Sequence, residues 1–356
     1  MDSRIRRGGL RNDIRELCNR AQANEKKMET LLRSKHHKIF TIDFVKAYII
    51  TMRPYLLFVS GITGICGMSF INELSVTKTV LVFLASFLSY GFGQALTDCF
   101  QTDTDSISSP YRPLTQGVIS KTQVLSISII GLTFCVSIFS IYNPINLLLG
   151  ILSGLGLTTY TYFKKKFWAG PFYNAWIVGV LFLMAFMCGS DFQKLSENSK
   201  VIYSLITVFL GYANFVLVGY FKDVEADRPT GYNTLPVVYG RRAASIVSNV
   251  FGLLTITAAI LVFSNSFSNT ELVSNYLYPT IILFTGIIVM IFCQVFVHLV
   301  KNDNESSNAI NLSVHAYIIL LASIVVLNKI DWLIPMIAFY VLFNLTIALR
   351  PAKNQI

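Results

Sequence analysis

Eight apolar runs of about twenty residues each follow one another along the chain, at roughly 54–72, 79–98, 123–142, 145–163, 173–189, 201–220, 244–264 and 277–299. A helix of that length crosses the roughly 30 Å hydrocarbon core of a bilayer with its backbone hydrogen bonds closed inside the segment. Two shorter runs follow, near 313–328 and 333–349. The pattern predicts an all-α, polytopic membrane bundle of nine helices, or ten if the last pair forms two short spans rather than one broken one. Composition agrees: with 53% hydrophobic and only 13% charged residues among 356, polar surface is too scarce to coat a soluble globule.

A net charge of +10 would suit a nucleic-acid ligand, but the basic residues follow topology instead. Thirteen of the twenty-nine lie between Arg4 and Arg53. Arg112, Lys121, Lys164, Lys165, Lys166, Lys222, Arg228, Arg241, Arg242 and Lys301 fall on the same side by alternation of the loops, and only Lys78, Lys194, Lys200 and Lys329 fall opposite. The excess of Lys and Arg marks the cytoplasmic side, so the N-terminus and the loops around 98–122, 164–172, 221–243 and 300–312 are expected there. Residues 1–45 read as a basic cytoplasmic tail and 46–350 as one intramembrane domain whose partners include membrane lipids and no nucleic acid. The six cysteines contain no C-x-x-C pair, and His36, His37, His298 and His315 lack metal-ligand spacing, so disulfides and structural zinc are not expected.

Six of the nineteen acidic residues crowd into two places. Asp98, Asp103 and Asp105 lie in TDCFQTDTDSISSPYRPL, and Asp223, Glu225 and Asp227 in YFKDVEADRPTGYNTLPV. Carboxylates at the ends of apolar segments are costly to desolvate unless a cation compensates them. Asp223 and Asp227, four apart, share one face of a helix, a spacing that suits two carboxylates gripping one magnesium. Asp98 and Asp105, seven apart, share a face if their helix continues; Asp103 joins them only if it has ended. Magnesium binds through one or two carboxylates plus substrate phosphates, so the two clusters are candidates to hold a diphosphate through Mg2+ or Mn2+. Arg112, Lys164, Lys165, Lys222 and Arg228 lie close enough in sequence to complete an anion site, with Arg suited to bidentate phosphate contact. The competing reading is that all of these are ordinary helix-end charges solvated at the membrane surface; two clusters on one side, each with a basic partner and a glycine turn, weigh against it.

These motifs resemble those of the UbiA-type intramembrane prenyltransferase superfamily. That family carries N-x-x-x-D-x-x-x-D after its second membrane helix and D-x-x-x-D after its sixth. Asp223 and Asp227 occupy the second motif, followed by a family-like DR-x-x-G-x-x-T-L-P-V run from Asp227 to Val237. The first motif departs: Thr97, Gln101 and Asp105 stand where the family has Asn, Asp and Asp, with Asp98 in place and PYRPL resembling the chlorophyll-synthase branch. Asp103 is an extra carboxylate, a candidate replacement for the one lost at Gln101. Arg53 and Pro54 match a frequent family Arg-Pro, and Tyr160 with Lys164 resemble the family's Tyr and Lys after the fourth helix. The resemblance spans roughly residues 46–300. It implies a helical bundle around a central cavity, and catalytic and metal roles for Asp98, Asp105, Asp223 and Asp227, with Asp103 as a further metal ligand. It implies substrate contacts from Thr97, Gln101, Arg112, Tyr160, Lys164, Lys222 and Arg228. The implied reaction is ionisation of a prenyl diphosphate and alkylation of a small or lipophilic acceptor, an aromatic one being the expected type. Two alternatives stay open: a terpene cyclase on the same scaffold, which needs no acceptor, and an ion or solute transporter, whose carboxylates would belong nearer the bilayer midplane.

Overall fold

In the computed structural model, residues 36–166, 168–266 and 274–350 are described; the N-terminal tail to residue 35, Cys18 included, and most of the loop after 266 lie outside them. Helices account for the regular structure, with no strand among the described residues. In chain order they are α1 (Ile42–Met52), α2 (Leu57–Met68), α3 (Val76–Asp98), α4 (Thr102–Ser108), α5 (Lys121–Tyr142), α6 (Ile145–Lys166) and α7 (Gly170–Met187). They continue with α8 (Phe192–Glu197), α9 (Ser199–Gly219), α10 (Val224–Asp227), α11 (Leu235–Ser264), α12 (Ser274–Leu299), α13 (Ser307–Asn328) and α14 (Leu333–Ala348).

Local chemistry sets the ends of the helices. Ser75 accepts the Lys78 amide to start α3, and Ser120 with Gln123 forms a reciprocal capping box at α5. Pro171 and Pro236 sit in the first turns of α7 and α11, where a missing N–H costs nothing. Inside the spans, hydroxyls that would otherwise be orphaned in hydrocarbon bond back to their own helix, as Ser86 does to the Val82 carbonyl and Thr255 to that of Phe251.

Nine helices among the described residues are long and apolar enough to cross a membrane, and a bent pair, Ile42–Met52 with Pro54–Met68, passes the test only as one unit. The ambiguity in the number of spans therefore sits at the first apolar run. The last pair forms two separate spans, Asp303–Asn328 and Ile330–Ala348. The bend of 45° falls at Arg53, whose φ of 54° is left-handed. Pro54 explains it: its ring disfavours the helical region for the preceding residue and removes an amide from the ladder.

Two helices form the centre, 72% of the α13 span and 67% of the α9 span being buried, against 17% for the span that carries α14. Close approach is bought by small residues: a Cβ at Gly156 would lie 2.6 Å from the Trp176 ring, so only glycine lets α6 and α7 meet there. Outward-facing Ile130, Phe134, Leu155, Leu253, Phe284 and Ile334 give the surface a lipid-facing apolar coat. A second, smaller core of Phe44, Ala47, Tyr48, Met52, Leu57, Ala95, Cys99, Ile119 and Val124 fastens α1 beside the end of α3. That packing delivers Arg53 to the first acidic loop. The five described cysteines are free and buried.

Candidate active site

A cavity of about 230 Å³ opens among α3, α5, α6, α7 and α9. Its walls differ at the two ends. Leu132, Val136, Phe139, Leu157, Ile177 and Leu181 line the apolar arm, while the helix ends carry Arg53, Asp98, Asp105, Arg112, Lys164, Lys222 and Asp223. Between the two lies a waist of Tyr90, Tyr160, Tyr212 and Tyr220, in which Tyr160 and Tyr220 share a hydrogen bond of 2.7 Å.

The first loop is a network of carboxylates and guanidiniums. Asp98, the last residue of α3, accepts Arg53 Nη2 on both oxygens, at 2.9 and 3.0 Å, and Gln94 Nε2 at 2.7 Å. Arg112 Nη1 lies 2.5 Å from Asp105 and 3.9 Å from Asp98. Burial pushes the Asp105 carboxyl above its ordinary range despite Arg112, with Asp98 and Asp223 adding repulsion. Burial also opposes the charge on Arg112, but Asp98, Asp105 and Asp223 together hold the guanidinium more firmly protonated than usual. Gln101 also faces the cavity, its Oε1 accepting from Lys164 Nζ at 3.5 Å, and Thr97 donates to the Gln94 carbonyl at 2.9 Å.

Helix α3 ends at Asp98 and α4 begins anew at Thr102, so Asp98 and Asp105 meet through a turn and not along one helix face. Asp103 does not join them. Its side chain is 43% exposed and turns outward to Lys165 Nζ at 2.5 Å and Tyr232 Oη at 2.8 Å. Burial acts against its charge, yet the Lys165, Tyr232 and Thr104 hydrogen bonds outweigh it and hold the carboxyl below its ordinary value.

The second pair also separates. Asp223 precedes the single turn of α10 and lines the cavity, with Oδ1 buried and no hydrogen-bond partner among the described residues. Asp227, fully buried, sits behind the wall, where Thr104 donates at 3.1 Å, Thr234 at 3.3 Å and Lys164 Nζ lies at 3.5 Å. Burial lifts its carboxyl to about 6, with Lys164 pulling the other way. The four-residue spacing thus places the two carboxylates on different sides of one wall. Arg228 is exposed and outside the cavity lining. Among the described residues no three His, Cys, Asp or Glu side chains converge into a ready-made metal cage. A hard dication here would need oxygen atoms from its ligand as well, as magnesium commonly does.

Three groups whose partners the sequence did not reveal complete the site. Tyr232 offers its ring to both Lys164 and Lys165, whose ammonium groups stand 4.8 and 4.6 Å from the ring centroid, and its hydroxyl ties the second loop to Asp103 of the first. Arg53 was legible as part of an Arg-Pro pair but not as the partner of Asp98. Asp303, from the loop before α13, accepts the Glu225 amide at 2.9 Å and pairs with Arg241, pinning the start of α10. The glycine before Tyr232, with φ of 75°, was the one local signal of that turn.

The model of the UbiA prenyltransferase family matches residues 57–315, most of the chain. The chain belongs to the UbiA prenyltransferase family. As a UbiA-family member it is an integral, multi-pass membrane enzyme, a prenyltransferase. It is 27% identical over 219 residues to a digeranylgeranylglyceryl phosphate synthase of Pyrococcus abyssi, covering 61% of this chain and 77% of the relative. Its fold matches the apo structure of a UbiA homolog from Aeropyrum pernix K1, with a TM-score of 0.63, 17% identity and coverage of 76% of this chain and 96% of that one. A UbiA homolog from Archaeoglobus fulgidus, solved bound to GPP and Mg2+, matches with a TM-score of 0.61 at 17% identity, covering 82% and 99%.

Proposed function

We propose that this enzyme moves an isoprenoid chain from a prenyl diphosphate to a lipophilic acceptor inside the cavity, with the diphosphate at the charged end. The observation that carries this is the cavity's polarity: Arg53, Arg112, Lys164 and Lys222 converge at one end and an apolar arm leads away from them. Such an arrangement places positive charge where leaving-group charge develops. Asp223, with a buried oxygen lacking a hydrogen-bond partner among the described residues, is the residue best suited to hold a divalent cation. Magnesium bound there would supply further charge to the leaving diphosphate. The UbiA homolog solved with GPP and Mg2+ supports both ligands by analogy.

The allylic carbon–oxygen bond breaks and its electron pair leaves with the diphosphate. The acceptor's nucleophile then gives an electron pair to the allylic carbon and loses its proton. The arginines and lysines orient the phosphate oxygens; the apolar arm holds the chain and excludes water that would quench the cation. Tyr90, Tyr160, Tyr212 and Tyr220 line the cavity and would offer π systems to the carbocation charge that appears there. The basic-residue pattern supports a cytoplasmic N-terminus and cytoplasmic acidic loops.

The glyceryl phosphate relatives favour a lipid alcohol as the acceptor. The waist of Tyr90, Tyr160, Tyr212 and Tyr220 supports a second reading, an aromatic acceptor stacked between rings. The test is incubation of the enzyme in lipid nanodiscs with geranylgeranyl diphosphate and, separately, geranylgeranylglyceryl phosphate, 4-hydroxybenzoate or no acceptor, followed by mass spectrometry. A doubly prenylated glyceryl phosphate supports the first reading and a prenylated ring the second. A cyclic hydrocarbon or alcohol formed without acceptor would overturn transfer in favour of cyclisation.

A further inference from the structure

The two acidic loops do not present equivalent carboxylates. In the first, both oxygens of Asp98 are engaged by Arg53 and one also by Gln94, while Asp105 is held by Arg112 at 2.5 Å. Two guanidiniums against two carboxylates leave this loop electrically balanced. At position 101 an amide faces the cavity and shares its oxygen with Lys164. An amide oxygen is a weaker ligand for a hard dication than a carboxylate and contributes no charge. In the second loop, Asp223 is the one cavity-lining carboxylate with a buried oxygen that has no hydrogen-bond partner among the described residues. Asp103 and Asp227 are committed elsewhere, to Lys165 and Tyr232 and to Lys164, Thr104 and Thr234.

We propose that the diphosphate site is asymmetric: a single divalent cation is held through Asp223, and the first loop binds no metal but grips the diphosphate with Arg53 and Arg112. This rests on the reading that the charged end takes a prenyl diphosphate. Asp98 and Asp105 are then positioning residues. They orient the forked donors of two arginines that match phosphate oxygens in geometry, and they act on the substrate only through those arginines. The departure at Gln101 thereby acquires a physical meaning: the loop has exchanged a metal carboxylate for an amide while retaining two guanidiniums.

The number of bound ions tests this directly, without turnover. The intact protein in nanodiscs is titrated with Mn2+ in the presence of saturating dimethylallyl S-thiolodiphosphate, whose bridging sulfur resists ionisation, and free Mn2+ is followed by electron paramagnetic resonance. One Mn2+ per chain is expected. Asp223→Asn should abolish it, whereas Asp105→Asn should retain it and weaken probe binding about tenfold. Two ions per wild-type chain, or loss of the ion in Asp105→Asn with retention in Asp223→Asn, would overturn the asymmetry. Probe binding with no ion would overturn both the asymmetry and the metal-assisted reading, and failure of the probe to bind at all would overturn the prenyl diphosphate reading beneath them.

Discussion

Arg53 is the residue on which the geometry of the first loop depends most, and its replacement gives a sharp test. Its side chain is 14% exposed and its guanidinium engages both oxygens of Asp98, whose side chain is only 4% exposed. Removing one member of a buried pair costs roughly 3–5 kcal/mol when the other is left uncompensated. Asp98 would keep Gln94 at 2.7 Å and the more distant Arg112 at 3.9 Å. Arg53→Ala should therefore fall below that range, at about 2–3 kcal/mol of lost stability. Adding Asp98→Asn to Arg53→Ala removes the stranded charge, and the double-mutant cycle should return a coupling of about 2 kcal/mol. Backbone strain gives a second, independent term. A left-handed non-glycine residue costs on the order of 1 kcal/mol, so Arg53→Gly should be about 1 kcal/mol more stable than Arg53→Ala although both lose the same ion pair. Unfolding in mixed detergent–SDS micelles, followed by near-ultraviolet circular dichroism, measures all four variants. Arg53→Ala within about 0.5 kcal/mol of wild type, together with negligible coupling to Asp98, would refute the reasoning.

Four further outcomes are expected. Excess chelator should abolish turnover and added magnesium restore it, measured as label transferred to a lipid-extractable product; full activity without metal would remove the dication from the account. Asp103→Asn should keep activity within about threefold of wild type because that carboxylate faces Lys165 and Tyr232, whereas Asp105→Asn should raise the donor KM about tenfold; equal, severe losses would return Asp103 to the metal site. Asp303→Ala should lower kcat/KM about tenfold by freeing the start of α10, with Asp303→Glu recovering part of it; unaffected kinetics would make the Glu225 contact irrelevant to the site. Asp227 titrates near 6, above the ordinary 3.8, so the folded chain holds that proton more tightly than the unfolded one. Its contribution to stability is complete below about pH 4 and lost as pH rises through about 6, a change on the order of 2 kcal/mol that Asp227→Asn should lack when unfolding is compared from pH 4 to 7.

The spans were legible because bilayer thickness fixes their length and hydrocarbon excludes charge, two constraints written directly into the run lengths. The break in the first span was not. The run from 54 to 72 looks complete alone, and α1, with Asp43 and Lys46, lacks the composition of a membrane segment. Only the left-handed turn at Arg53 joins them. At the site, residue types were readable and directions were not. A four-residue spacing places two side chains on one face only when the helix is already under way, and Asp223 stands before its first turn. Asp103 stood in sequence beside Gln101 as a replacement metal ligand, but its partners, Lys165 and Tyr232, come from the end of α6 and from the second loop. Asp303 lies 78 residues from the amide it caps, beyond the reach of any local pattern.

The central claim is that a prenyl diphosphate ionises at the charged end of the cavity under the control of Asp223, and it is tested most directly by following both halves of the substrate. Wild-type enzyme and Asp223→Ala, matched for folded protein by thermal stability, are given a prenyl diphosphate labelled in the chain, and released diphosphate is measured beside labelled product. In wild type with magnesium, diphosphate and prenylated product should appear in equal amounts, while Asp223→Ala should retain its melting temperature and lose at least about a hundredfold in rate. An Asp223→Ala enzyme that releases diphosphate at the wild-type rate would contradict the account.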